Sequence, residues 1–329
     1  MLAVALVGSV VVDNLLTAPV IAFLVAGVAT LARFDIRLPE ALYPILSSYL
    51  LLAIGVKGGR ALGLSDPAEL WQPLVAALVL GVVTPIIAFV LYRRVGRAGT
   101  IDAAALAAHY GSVSAVTFTV VLATLDARGQ SYEGYLSGLL AVLEVVGIVV
   151  ALALVRTGHG GHGDGSEARW NEALLEVVRG RSITLLLAGL AIGLIVGDER
   201  LEAVDPVFVG LFSGALTLFL VEMGVVAAER LRDAREAGWR IALLGIVVPL
   251  VNGTLGAVAG SLAGLSPGGT AVLATLAASA SYIAAPAAVR IALPTASPGL
   301  YVTASLGITF PFNVIVGIPL YLVIAEALT

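Results

Sequence analysis

Cysteine is absent from this 329-residue chain, which excludes disulfides and thiolate-held zinc or iron–sulfur centres. Charge is scarce as well. Asp, Glu, Lys and Arg together make up 12% of the residues, about half of the roughly 25% in an ordinary globular chain, too little to coat a water-facing surface. The net charge of −4 offers no basic face to a nucleic acid, so none is expected as a partner. With three histidines, no nucleophile–base pair and no metal-ligand set, no enzyme and no cofactor are expected. What is plentiful is apolar surface: 59% of the residues are hydrophobic and the mean hydropathy is +1.03. This composition predicts an all-α polytopic membrane protein. The 37 glycines and 14 prolines predict close helix packing and broken helices.

A helix needs about 20 apolar residues to cross a bilayer, and charge-free runs mark ten such crossings. They lie near 14–32, 41–56, 70–92, 103–125, 134–155, 182–196 and 206–228. Two more share 241–289, divided by the turn Leu265-Ser-Pro-Gly-Gly269, and the tenth runs from about 299 to 325. The chain then divides into an N-terminal interfacial segment (1–17), a first five-helix repeat (18–156), a cytoplasmic linker (157–181) and a second repeat (182–329). Met1–Val12 is too short to cross and reads as an uncleaved interfacial helix. A signal peptide is the rival reading, although the segment lacks a basic start.

Ten crossings put 14 of the 18 Lys and Arg residues on one side. Only Lys57, Arg60, Arg128 and Arg200 fall on the other. The basic side is read as cytoplasmic, which places a multi-pass protein in the inner (plasma) membrane with both termini outside. In the linker, the glycine-rich run from Thr157 to Gly165 is flexible, so His159 and His162 have no preformed metal site. Downstream, Trp170, Leu174, Leu175, Val177 and Val178 share a helical face and predict a short helix lying on the membrane surface or against a partner, a simple connector rather than a regulatory element.

A shift of 169 residues aligns three separate stretches of the chain. Gly55 falls on Gly224 and Leu62 on Leu231. Ala105, Ala108, Ser112 and Ala115 fall on Ala274, Ala277, Ser281 and Ala284. Gly138 falls on Gly307, and Glu144 on Asn313. Five spans per half is an odd number, so the halves enter the membrane in opposite senses. Such inverted repeats are typical of secondary transporters, whose site sits near the midplane between them.

Two interruptions mark that midplane. Span four contains His109-Tyr-Gly-Ser-Val-Ser-Ala-Val-Thr-Phe118, and span nine contains Ala278-Ser-Ala-Ser-Tyr-Ile-Ala-Ala-Pro286. Glycine and serine weaken a helix, and Pro286 lacks an amide proton to donate. A broken helix leaves amides free at the start of its second half, at its positive dipole end. Two inverted halves bring two such ends together. The result is an anion cradle of Ser112 and Ser281 hydroxyls with backbone from Val113, Ser114 and Ile283. Glu144 stands alone in its span, where an unpaired carboxylate is costly unless it functions. With the Asn313 amide and the unwound carbonyls of the proline-interrupted stretch Phe310-Pro-Phe-Asn-Val314 it offers the all-oxygen environment that hard cations such as sodium prefer. A proton-carrying or simply protonated Glu144 is the competing reading. His109 reads as a packing or gating residue, and Glu222 as interfacial.

These residues resemble those of the sodium-dependent bicarbonate transporter family. The likeness rests on the runs His109–Phe118 and Ser279–Ala287 and on Leu38-Pro-Glu-Ala-Leu-Tyr43, and extends from about Ala18 to Leu328. It implies ten helices in two inverted five-helix repeats, a core domain sliding against a gate domain, and a homotrimer. It implies bicarbonate at the broken helices, around Ser112, Val113, Ser114, Ser281, Tyr282 and Ile283. Sodium as coupling ion would then sit near Glu144 and Asn313, with Thr117 and Ser279 as further donors. In relatives the fifth-span carboxylate is an aspartate followed shortly by proline, whereas Glu144 is followed by Val-Val-Gly. Relatives are also regulated by a PII-like cytoplasmic protein, a partner this resemblance carries with it. The expected function is a sodium-dependent bicarbonate symporter of elevator type. The alternatives are a sodium- or proton-coupled symporter of another small anion, such as a short carboxylate, and a channel or non-transporting scaffold. A channel would need a continuous polar lining that the spans lack.

Overall fold

The computed structural model describes residues 14–158 and 166–329. The expected interfacial segment Met1–Val12 and the stretch with His159 and His162 lie outside these residues. Among the described residues all regular structure is helical. In chain order the helices are α1 (Ala18–Leu31), α2 (Leu42–Leu64), α3 (Pro67–Arg94), α4 (Thr100–Gly111), α5 (Ala115–Ala127) and α6 (Leu136–Gly158). After the linker come α7 (Ser166–Arg179), α8 (Arg181–Val196), α9 (Phe212–Ala237), α10 (Trp239–Leu262), α11 (Pro267–Ala278), α12 (Ala284–Ala292) and α13 (Pro298–Leu328).

Among the described residues, seven stretches are long and apolar enough to cross a membrane: α2, α3, α4 with α5, α6, α9 with its lead-in from Pro206, α10, and α13. The pair α7–α8, bent by 42°, makes an eighth. This is a multi-pass membrane protein. The ten expected crossings are met by fewer full-length helices for local reasons. Pro19 starts α1 late, leaving 14 residues, and span nine is split into helices of 12 and 9 residues. Large apolar side chains such as Trp71, Leu74, Leu78 and Ile86 remain exposed along α3, as acyl chains require.

Helices α2 and α8 pack closely, and so do α9 and α1. Glycine makes both crossings possible. A β-carbon on Gly55 would stand 2.4 Å from the Leu186 carbonyl oxygen and 2.8 Å from Gly189 Cα. One on Gly224 would stand 2.3 Å from the Phe23 carbonyl oxygen and 3.1 Å from the Gly27 amide nitrogen. Gly55 and Gly224 are the pair that the 169-residue shift superposes. Each therefore packs against the first helix of the opposite half. The other large assembly brings α3, α4 and α6 together, and α10 against α11.

The linker helix differs from its expected orientation. Ala173 and Val177 are buried while Leu175 and Val178 are exposed, because α7 packs against α12 rather than lying free. Trp170 is half-buried in the same contact.

Candidate functional site

Helix α4 stops at Gly111, and Ser112 and Ser114 are extended before α5 begins at Ala115. The stop is sterically prepared. A β-carbon on Gly111 would lie 2.5 Å from Pro85, and one on Gly147 of α6 would lie 1.8 Å from the Gly111 carbonyl oxygen. Helix α6 thus rests directly on the unwound backbone, and Glu144 sits one turn away from that contact. Ser114 then restarts the chain as an N-cap, its Oγ accepting from the Thr117 amide at 3.2 Å.

The second break follows the same plan. Helix α11 ends at Ala278, Ser279 is extended, and α12 starts at Ala284. Ser281 Oγ accepts from the Ala285 amide at 3.3 Å. Pro286 does not cause the break. It lies in the first turn of α12, where no intrahelical donor is required, so it favours the restart instead. The expectation for Phe310-Pro-Phe-Asn-Val314 changes too. Instead of unwinding there, α13 runs through Pro311 as helix, with wider π-helical turns at Thr303–Thr309 and Asn313–Gly317.

The two unwound segments cross and are tied together. The Ser114 amide donates to Ser279 Oγ at 2.8 Å, and the Ser281 amide donates to the His109 carbonyl at 2.7 Å. Ser279 in turn donates to the Leu276 carbonyl at 2.8 Å, which occupies its hydroxyl proton locally. Beside the crossing is a small cavity of about 10 Å³, room for about one water. Its lining includes Val113, Ser114, Ser281, Tyr282, Ile283 and Glu144. Ala115 and Ser182 complete it. Glu144 is 3% exposed and interacts with the Ser182 hydroxyl.

Two expected residues stand apart from this cavity. Ser112 is fully buried and its Oγ has no hydrogen-bond partner among the described residues, yet it is not part of the lining. Asn313 is committed elsewhere. Its Nδ2 donates to the Ala278 carbonyl at 2.9 Å, capping the end of α11, and its Oδ1 accepts from Tyr321 at 3.4 Å. Thr117 contributes its amide to the Ser114 cap. His109 is buried against Tyr301 at 4.4 Å between ring centres, with Nδ1 on the Ala105 carbonyl at 2.7 Å. Tyr282 packs edge-on against Phe310 at 5.6 Å, and its buried hydroxyl lies by Ser114 without a hydrogen bond of ordinary geometry. Glu222 accepts from the Leu38 amide at 3.2 Å, a structural role.

Ser182 is the lining residue that sequence reasoning missed. Its only signal was a hydroxyl at the start of an apolar run, which is commonplace. Asn14 was missed as a brace. Its Nδ2 donates to the Val314 carbonyl at 2.8 Å, inside a π-helical turn, and its Oδ1 accepts from Thr124 at 2.9 Å.

The sequence profile of the Na+-dependent bicarbonate transporter superfamily matches residues 19–326, nearly the whole chain. No curated protein matches it significantly. The chain belongs to the Na+-dependent bicarbonate transporter superfamily.

Proposed function

We propose that this member of the superfamily is a sodium-coupled bicarbonate symporter, and that the cavity beside the two crossed breaks is its substrate site. One observation carries the reading: hydroxyl-bearing ends of two broken helices and one buried carboxylate share a single small cavity. Ser114 and Ser281 act as caps through an oxygen lone pair, which leaves each O–H proton free to donate to an anion. The first-turn amides of α5 and α12 add partial positive charge on the same side.

Glu144 explains why the anion would need a companion. An ionised carboxylate a few ångströms from bicarbonate repels it by about 4 kcal/mol at an effective dielectric of 20. A sodium ion between them reverses the sign, and its ligands are carboxylate and hydroxyl oxygens. The site would alternate its access as ten crossings in two inverted halves, the core carrying the crossed breaks past the α1, α2, α8 and α9 assembly in an elevator motion.

Uptake of labelled bicarbonate into proteoliposomes tests the reading. An inward sodium gradient is expected to drive accumulation that a potassium gradient does not. Uptake driven by a pH gradient and indifferent to sodium would overturn sodium coupling and make Glu144 a proton carrier. Absence of uptake under either gradient would overturn bicarbonate as substrate.

A further inference from the structure

A pocket of about 340 Å³ lies at the far end of α2. Lys57, Gly58, Phe118, Glu133, Ser137 and Phe212 are among its walls. Lys57 is the only lysine in the sequence, against 17 arginines. Its ammonium lies 4.8 Å from the centre of the Phe212 ring, and among the described residues it makes no ion pair. Ser137 is 2% exposed, and its hydroxyl has no hydrogen-bond partner among the described residues. Gly58 leaves room for that hydroxyl, since a β-carbon there would stand 1.6 Å from Ser137 Oγ.

The acidic neighbour is already occupied. Glu133 accepts from the Ser266 amide at 2.6 Å and from Ser266 Oγ at 3.1 Å. Tyr132, also in the wall, donates to Asp126 at 3.1 Å. Burial, and then the Asp126 carboxylate, push its phenol well above the usual range, so it stays neutral. Glu133 keeps its negative charge, so an anion here has to sit on the Lys57 and Ser137 side of the space, where the ammonium has the Phe212 ring but no ion pair and the Ser137 hydroxyl has no partner among the described residues. A buried hydroxyl without a partner costs free energy that a ligand would recover.

Shared wall residues lead from this space towards the candidate substrate site. A second small cavity, of about 10 Å³, shares Ile54 with the Lys57 space and shares Ala115 and Ile283 with the substrate cavity. Its walls are mostly apolar, with Leu50, Val116 and Phe219 packed between α2 and α5. The loop-charge pattern assigns the Lys57 end of α2 to the outside.

We propose that the Lys57–Ser137 space is a second anion site, an antechamber that captures a small oxyanion before it passes the apolar constriction to the crossed breaks. The inference rests on the transport reading only for the class of anion. An ammonium without a fixed partner raises the local anion concentration, and the apolar wall beyond it keeps that anion waiting until the helices move.

Because Lys57 is the sole lysine, it can be read alone. Reductive methylation of the purified full chain with ¹³C-formaldehyde keeps the charge and gives one dimethyl-lysine resonance, separate from that of the terminal amine. Bicarbonate at fixed pH and ionic strength is expected to shift this resonance saturably, while chloride does not. In Ser137→Ala the same titration is expected to need roughly tenfold more bicarbonate, as for loss of a hydrogen bond to a charged group. A resonance that stays still, that moves equally with chloride, or that titrates identically in Ser137→Ala would overturn the proposal. Sodium-driven uptake is measured separately. A saturable Lys57 shift without such uptake would keep the antechamber and sink the symport reading, and the converse result would do the opposite.

Discussion

The Ser114 amide and the Ser279 hydroxyl meet at 2.8 Å, and this bond joins the break in one half of the chain to the break in the other. Ser279→Ala leaves a buried amide without its acceptor, which costs about 1–3 kcal/mol. The variant is expected to melt several degrees lower in detergent and to transport more slowly, because the two breaks lose their register. An unchanged melting temperature would show that the tie does not hold the segments.

Ser114→Ala and Ser281→Ala each remove an O–H donor from the cavity wall. Each is expected to raise the half-saturating anion concentration by roughly tenfold, as for loss of one hydrogen bond to a charged group. Ser112 gives the contrast. Its hydroxyl is buried, without a partner among the described residues and outside the lining, so Ser112→Ala is expected to leave affinity within about twofold and stability equal or higher. Concentration dependence of uptake for the three variants checks the order.

Gly147→Ala is expected to abolish uptake and lower stability by about 1–3 kcal/mol. In an ordinary helix interior the same change would stabilise by about 1 kcal/mol, so the sign is diagnostic. Here the added carbon would meet the Gly111 carbonyl oxygen at 1.8 Å, and backbone on both sides leaves nothing to rotate away. A folded, active Gly147→Ala protein would mean that α6 does not rest on the break.

Thr309→Val breaks a buried chain of hydroxyls. Pro249 has no amide proton, so the Gly245 carbonyl four residues earlier loses its helical partner, and Thr309 Oγ1 donates to it at 2.6 Å. Tyr110 meets the same hydroxyl at 2.6 Å, which couples α4, α10 and α13. Valine keeps the shape and orphans both groups, at an expected cost of about 2–4 kcal/mol. Thermal unfolding measures it, and Thr309→Ser should recover most of the loss.

How much of this could be read from the chain depends on distance along it. The breaks at Ser112–Ser114 and Ser279–Ile283 were legible because hydroxyl clusters in apolar runs are local signals. The repeat pair Gly55 and Gly224 was legible as an identity, but its purpose was not. Sequence carries no record of which backbone approaches a glycine from another helix. Pro286 and Pro311 were misplaced as breakers because a proline's effect depends on its position within the turn. Asn313 was paired with Glu144 by repeat alignment, yet the two halves are not chemically equal. The amide caps α11 through the Ala278 carbonyl, while the carboxylate faces the cavity with Ser182. Ser182 itself comes from a helix that no local pattern connects to the breaks.

The claim that sodium and bicarbonate share one site is tested most directly by titrating sodium on the purified protein with and without bicarbonate. Mutual tightening is required of coupled binding, since whatever factor sodium confers on the anion the anion must return. The account predicts that saturating bicarbonate shifts the sodium midpoint to lower concentration by roughly 5- to 150-fold, the usual range of coupling, and that Glu144→Gln removes the shift. Superimposable sodium curves with and without bicarbonate would contradict it.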